Sequence, residues 1–383
     1  MGPLKGVRIV EFAGIGPAPF AAMVLADLGA DVLLVERKTP NRHTRDVSFF
    51  NLGRYNLLNR GKHIVSLDLK QPAGAEAALR LIGCADALIE GFRPGVMERN
   101  GLGPDACLKR NPRLVYGRMT GWGQSGPLSQ AAGHDLNYLA LSGALSLGAP
   151  LNGHPWAPPA VLGDMGGGAL VLALGVVSAI LEARTSGHGQ VVDAAITDGS
   201  ALLTTLFHAL KSSGVWRTGQ PHVLDSSAPF YDTFRCADDK WISIGALEPQ
   251  FYALLLEKCE LTDVTPAMQW DAAQWPALKA RIAALVATRT RDEWCRLLEG
   301  TDACFAPVLD LDEAPTHAHN RARGTFIEID GVTQPAPAPR FSRTPAEVSG
   351  PPPVPGQADD IVLADWGFAA DEIDALRRAS VLA

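Results

Sequence analysis

Gly6–Phe12 (GVRIVEF) and Asp31–Glu36 (DVLLVE) bracket the helix-like stretch Pro19–Leu28, and this strand–helix–strand spacing decides the fold. Both runs are nearly continuous in apolar and β-branched residues, as strands buried on both faces are. The pattern repeats downstream. Ile64–Leu69 (IVSLDL), Asp86–Glu90 (DALIE) and Arg113–Met119 (RLVYGRM) read as further strands, with Ala75–Ile82 as an intervening helix. Alternation at this spacing predicts an α/β fold, a Rossmann-like parallel sheet covered by helices on both faces. Such sheets bind ligands at the carboxyl ends of their strands.

Glycine becomes dense from Gly117 through Gly168. Ala169–Arg184 then reads as a helix, Gln190–Ala195 as a buried strand, and Asp198 to about Lys211 as a second helix. Ser212–Ser227 carries Gly, Ser, Pro and Asp and reads as a linker. A different pattern follows. Trp241–Ala246 (WISIGA) is a strand after the turn at Ala237–Lys240, and Pro249–Glu260, Trp275–Thr288 and Arg291–Leu298 are helices. This predicts a smaller α+β domain ending near Pro307–Leu309. Gly331–Pro355 is proline-rich and therefore extended, and Asp371–Ala379 is a last helix.

The bulk numbers narrow the function. At 383 residues the chain has room for two cores. Its formal net charge of -7 argues against nucleic acid as the partner, because phosphate backbones demand a concentrated basic surface. The six cysteines are scattered, without CxxC or metal-ligand spacing, which suits a reduced cytoplasmic protein with free thiols. Met1–Lys5 holds no apolar segment before the first strand, so no signal peptide is expected. Thr or Ser is missing at position 6, against myristoylation. The longest apolar stretch, Ala169–Leu181, is too short to span a bilayer, so no membrane partner is expected.

Two segments carry chemistry. Gly133-His134-Asp135-Leu136-Asn137-Tyr138 puts an imidazole in a loop after a glycine-rich turn. Leu162-Gly163-Asp164-Met165-Gly166-Gly167-Gly168 puts a carboxylate before three glycines and an apolar run. An imidazole and a carboxylate facing one pocket suit acid/base chemistry at an unactivated carbon. Each also has a structural explanation: His134 as a satisfied loop residue, Asp164 as the N-cap of a helix starting near Gly167. Glu248, at the end of the strand Trp241–Ala246, is either an early helix residue or the partner of a histidine. Asp193 reads as a structural carboxylate in a buried strand. The first βα turn, Ala13–Pro19, fails the dinucleotide fingerprint because Pro19 holds the third glycine position. Arg37, Lys38, Arg60, Lys62, Lys70, Arg93 and Arg99 form a basic set mostly just after strands, suited to a ligand with several phosphates. His317-x-His319 is the one histidine pair with ligand-like spacing, and no metal site is expected.

Together these segments resemble the family III CoA transferases and, within them, the alpha-methylacyl-CoA racemases. The resemblance runs from Pro3–Glu11 through Ala26–Val32, Leu67–Lys70, Glu90–Val96 and Met119–Gln124, includes the two segments above, and reaches Pro339–Ser342. Transferases of this type resemble this chain at Asp164, which serves them as a nucleophile forming a CoA thioester. They usually carry an aromatic residue at the position of His134. The racemases carry histidine there, and a glutamate matching Glu248 in Gly245–Tyr252. The segment Thr39–Leu58 departs from compact racemases by its length.

The resemblance implies CoA contacts at Arg37, at Leu67, Asp68, Leu69 and Lys70, at Gly91, Phe92 and Arg93, at Arg99, and at Gly133, Asp135, Leu136, Asn137 and Tyr138. It implies an interlocked homodimer whose large domain is built from both ends of the chain, residues 1–211 and 325–383. The small domain is then 228–310, with linkers at 212–227 and 311–324. It implies catalysis by His134 and Asp164 as two bases on opposite faces of the α-carbon, with Glu248 fixing the imidazole tautomer. Backbone N–H groups at Asp164–Gly167 are expected to receive the enolate oxygen. No cofactor is expected, since CoA arrives as part of the substrate.

Overall fold

The computed structural model describes residues 2–38, 52–148, 153–354, 356 and 359–382. Most of the long segment Thr39–Leu58 lies outside these residues. The chain divides into two compact units, residues 1–144, 158–203 and 324–383 in one and residues 145–157 and 204–323 in the other.

In chain order the first unit begins with strand β1 (Arg8–Phe12), helix α1 (Pro17–Asp27), β2 (Asp31–Arg37), β3 (His63–Leu67), α2 (Pro72–Gly83) and β4 (Ala87–Glu90). It continues with the short helices α3 (Val96–Arg99) and α4 (Pro104–Arg110), then β5 (Val115–Thr120) and α5 (Asp135–Ser142). A π-helix over Val161–Leu170 runs into α6 (Val171–Ser186), followed by β6 (Val191–Ala195) and α7 (Ile196–Leu203). The six strands form one sheet in the order β3-β2-β1-β4-β5-β6. All five pairings are parallel. Strand order reverses between β1 and β4, which opens a crevice there at the carboxyl edge.

Both faces of the sheet are covered. On one face Leu81, Trp366, Leu363 and Ile373 pack against Val10, Phe12, Leu33, Val65 and Leu88. On the other, Leu25 of α1 and Leu172, Val176 and Ile180 of α6 pack against Ile9, Val32, Ile89 and Val115. Complete burial on both sides explains why β1–β5 read as apolar runs rather than alternating ones. β6 is different: as the edge strand it exposes Val191 and Asp193, so the expected buried strand and buried carboxylate are corrected. Asp193 instead accepts a hydrogen bond from Gln124 N–H at 3.0 Å.

The helical run Val161–Ser186 is long and apolar enough to cross a membrane by length and composition alone. Leu172, Ala173, Val176, Ala179 and Ile180 pack one face of it against the sheet.

The second unit holds α8 (Thr205–Ser212), β7 (Tyr231–Arg235), β8 (Trp241–Gly245), α9 (Pro249–Lys258), α10 (Trp275–Val286), α11 (Arg291–Leu298), β9 (Phe305–Val308) and α12 (Ala318–Arg323). β7, β8 and β9 make an antiparallel three-stranded sheet. Phe230, Tyr252, Trp275 and Trp294 fill its core. The expected single helix from Asp198 breaks at Thr204, and its second half falls in this unit rather than the first. The expected linker Ser212–Ser227 is an ordered part of it, with Trp216 packed against Phe207 and His222 at 5.4 Å and 4.5 Å.

The chain then returns to the first unit with the hairpin β10 (Phe326–Ile329) and β11 (Val332–Pro335), α13 (Asp359–Asp365) and α14 (Ala370–Arg378). Two side chains tie this return to the sheet. Arg60 is buried and donates to Asp27 Oδ2 at 2.6 Å, to Gln334 Oε1 at 2.9 Å and to the Pro335 carbonyl at 2.7 Å. Lys38 Nζ donates to the carbonyls of Ser380 and Leu382, each at 3.0 Å.

Candidate active site

The first βα turn closes on Gly16, whose φ of 72° admits glycine without strain. The Asp164 carboxylate lies over that turn, since a Cβ on Gly16 would stand 3.5 Å from Asp164 Oδ2. Asp164 therefore sits at the crevice where strand order reverses. The helix bearing it begins at Val161 with Ala160 as its N-cap, four residues earlier than an N-cap role for Asp164 requires. Its first ten residues have π geometry, a rare form that recurs at functional sites. Glycines let it pack closely on α7: a Cβ on Gly167 would strike Ser200, and one on Gly168 would strike Ile196.

His134 is not in a loop interior but caps the N-terminus of α5, where Asn137 Oδ1 accepts its backbone N–H at 3.1 Å. Its side chain is exposed. Burial, with the neighbouring Asp135 charge, pushes the Asp164 carboxyl up to about 6, and His134 opposes the rise. Tyr138 donates to the Gly133 carbonyl and packs edge-on to Trp122 at 4.7 Å. Burial and the Asp164 charge raise the Tyr138 phenol, while Arg93 lowers it. Asp164, His134, Asp135, Tyr138 and Arg93 thus form one electrostatic neighbourhood.

Among the other expected CoA contacts, Arg37 ends β2 and places its guanidinium 5.8 Å from the Phe92 ring. Leu67 ends β3 and is buried. Asp68 accepts from Lys70 N–H and Gln71 Nε2, both at 3.1 Å, leaving Leu69 and Lys70 in the turn at the carboxyl edge. Gly91–Arg93 follow β4, Arg99 ends α3, and Leu136 stands 58% exposed on α5. Arg60 and Lys62, by contrast, are removed from the basic set. Arg60 is locked to Asp27 and the C-terminal return. Lys62 Nζ lies 2.6 Å from Glu11 Oε2, with neither side chain exposed.

Of the backbone N–H groups expected to hold an enolate oxygen, the first two are already engaged. Asp164 N–H donates to Asp135 Oδ1 at 2.8 Å and Met165 N–H to the Ala160 carbonyl at 3.0 Å. At α5 the N–H groups of Asp135 and Leu136 have no partner among the described residues, being orphan donors of a first helical turn.

Glu248 belongs to the second unit, where it is exposed and precedes Pro249, the first residue of α9. Histidine 317 sits 2.9 Å from Glu299 Oε1, and no cluster of three metal-ligating side chains occurs among the described residues.

Sequence reasoning missed Glu90. It is fully buried at the end of β4, accepts Phe92 N–H at 2.7 Å and pairs with Arg118 Nε at 2.8 Å, so it fixes the backbone of the Gly91–Arg93 turn. The available signal was a carboxylate ending a buried strand before glycine.

An open, doubly wound parallel sheet with a histidine, a carboxylate and arginines gathered at its carboxyl edge defines an α/β protein with a ligand crevice at its strand-order reversal. Solved structures with the same fold include a CAIB/BAIF family protein from Brucella suis (TM-score 0.79, 24% identity, 95% of this chain and 99% of that one) and a hypothetical protein from Mycobacterium tuberculosis (TM-score 0.76, 29% identity, 94% and 99%). The family model of CoA-transferase family III matches residues 4–359, and the chain belongs to that family. Among its relatives, alpha-methylacyl-CoA racemase of Mus musculus is 44% identical over 97% of this chain and 95% of its own length. The enzyme of the same name from Homo sapiens is 41% identical over 99% and 97%. Succinyl-CoA:glutarate CoA-transferase of Mus musculus is 27% identical over 93% and 85%.

Proposed function

We propose that this protein interconverts (2R)- and (2S)-2-methylacyl-CoA thioesters by 1,1-proton transfer through an enolate. The observation that carries the reading is the pairing of His134 with a carboxyl at Asp164 pushed up to about 6. The identities of 44% and 41% to relatives named alpha-methylacyl-CoA racemase support it. A thioester α-proton is weakly acidic, so its removal needs a close base, a site for the enolate oxygen and exclusion of water. A carboxyl titrating near neutrality serves as base when ionised and as acid when protonated. Asp164 takes one face of the α-carbon and His134 the other, each returning the proton that inverts the centre. The unpartnered N–H groups of Asp135 and Leu136 receive the enolate oxygen at the positive end of the α5 dipole.

In this reading the CoA phosphates meet Arg37, Arg93 and Arg99, and CoA comes and goes with the substrate, with no other cofactor required by the chemistry. The protein is an interlocked homodimer in which Glu248 orients the imidazole of His134. Leu174 and Leu181 of α6, 68% and 69% exposed, favour such burial between copies. Six free cysteines favour the cytoplasm.

Incubation of one pure 2-methylacyl-CoA epimer in heavy water tests the reading. Loss of epimer purity with matching α-deuterium incorporation is expected. Transfer of CoA to a free-acid acceptor without α-deuterium would replace it with transferase chemistry at Asp164.

A further inference from the structure

Asp135 directly follows His134, yet its carboxylate serves the other proton carrier. Oδ1 accepts the backbone N–H of Asp164 at 2.8 Å, and Oδ2 accepts that of Ala160 at 3.2 Å. One side chain thus joins the first residue of α5 to the N-terminal turn of the helix that carries Asp164. The facing surface is shaped for it. Gly163 is buried, and a Cβ there would collide with Asp135 Oδ1 and stand 3.1 Å from Leu139 Cγ. Any larger residue at 163 would push the carboxylate away. The His134 backbone is fixed from the same helix by Asn137 Oδ1.

We propose that the Asp135 side chain is a positioning residue for proton transfer: it sets the separation and orientation of His134 and Asp164 and does not itself touch the substrate. The proposal rests on the racemase reading and names the device that keeps its two carriers in register. Two bases acting on opposite faces of one carbon tolerate little drift, and a misplacement of about 1 Å costs about 100-fold in rate. The backbone N–H of Asp135 remains free for the enolate oxygen, because only its side chain is engaged. The carboxylate has a second effect through its charge. The titratable groups acting on Asp164 are Asp135 and His134, and Asp164 in turn raises Tyr138. The turn before α1 presents Gly16 to that carboxylate, and α7 presents Ser200 and Ile196, neither titratable, to the same helix.

The test compares Asp135→Asn, which keeps the size but replaces one acceptor with a donor, and Gly163→Ala, which displaces the clamp but keeps its charge. In each, kcat for racemisation is expected to fall about 100-fold, and in Gly163→Ala, which replaces none of the expected CoA-contact residues, KM for acyl-CoA should stay unchanged. Asp135→Asn should also move the acid limb of the rate, for the epimer that Asp164 deprotonates, to lower pH. A merely structural role would not move that limb. Wild-type kcat in a folded Asp135→Asn or Gly163→Ala overturns the proposal. If one variant fails to fold, the other decides. If neither folds, the contact is a folding requirement and the positioning role falls. A wild-type protein that exchanges no α-deuterium sinks the racemase reading instead. The clamp is then read from the ¹³C-carboxyl titration of Asp164, whose midpoint should drop in Asp135→Asn; an identical midpoint overturns it.

Discussion

Oδ2 of Asp164 faces Gly16 so closely that a Cβ on the glycine would stand 3.5 Å away. A carboxylate from the middle of the chain thereby covers the first βα turn of the sheet. Asp164 therefore stands at the carboxyl edge of the sheet, the edge at which Arg37 ends β2 and Arg93 follows β4.

Gly16→Ala is expected to cost about 1–2 kcal/mol, because a Cβ is forced into the left-handed region. The added methyl would also strip water from the Asp164 carboxylate, raising its pKa further. Denaturant midpoints should report the first effect. An acid limb displaced to higher pH, for the epimer served by Asp164, should report the second.

Asp164 makes stability pH-dependent with a definite sign. Its folded pKa of about 6 lies above the usual 3.8, so the fold favours the neutral form. That contribution is fully present below about pH 4 and lost as pH rises through about 6. Asp164→Asn, which stays neutral, should therefore have a higher Tm than wild type at pH 7–8. The gain should vanish near pH 4. Melting curves across that range check it, and a pH-independent difference would contradict the raised pKa.

Lys62 and Arg93 should behave as opposites although both are basic residues near the carboxyl edge. Lys62 is buried against Glu11, so Lys62→Met leaves an unpaired buried carboxylate and should cost about 3–5 kcal/mol. Burial already pushes that carboxyl up, against the attraction of Lys62. Arg93 is exposed, so Arg93→Ala should leave the melting temperature nearly unchanged. If it meets a CoA phosphate, KM should rise by the equivalent of about 1.5–3 kcal/mol. Paired denaturation and kinetic measurements separate the two.

Lys62 also marks where sequence reading stops. The strands β1–β5 were legible because burial on both faces leaves mostly apolar residues, and their bounds moved by a residue or two. Nothing in the sequence separates a lysine that holds a phosphate from one that neutralises Glu11, since the partner lies 51 positions away in the chain. Glycines misled in the same way. The three glycines after Asp164 placed the helix start near Gly167, but Gly167 and Gly168 are small because Ser200 and Ile196 of α7 press on them inside a helix that begins at Val161. The α5 helix was hidden for a similar reason, lying between Gly133 and Gly143. β9, with Pro307 inside it, gave no clean strand pattern. His134 and Asp164 stood out individually, whereas the clamp at Asp135 depends on a hydrogen bond spanning 29 residues.

The two proton carriers should be separable by isotope. In a two-base racemase each face of the α-carbon has its own carrier, so inversion needs both His134 and Asp164. Removing a positioned acid or base typically costs about 10²–10⁴-fold. His134→Ala should nearly abolish epimer interconversion while leaving slow deuterium exchange, with retention, for the epimer that Asp164 serves. Asp164→Ala should give the mirror-image pattern from the other epimer. A transferase responds otherwise: Asp164→Ala ends acyl exchange, and His134→Ala changes little because no proton passes through it. Epimer ratio and α-deuterium, followed for each variant from each pure epimer, distinguish these outcomes. Wild-type racemisation by His134→Ala, or Asp164 trapped as a CoA thioester during turnover, would replace proton transfer with covalent catalysis at Asp164.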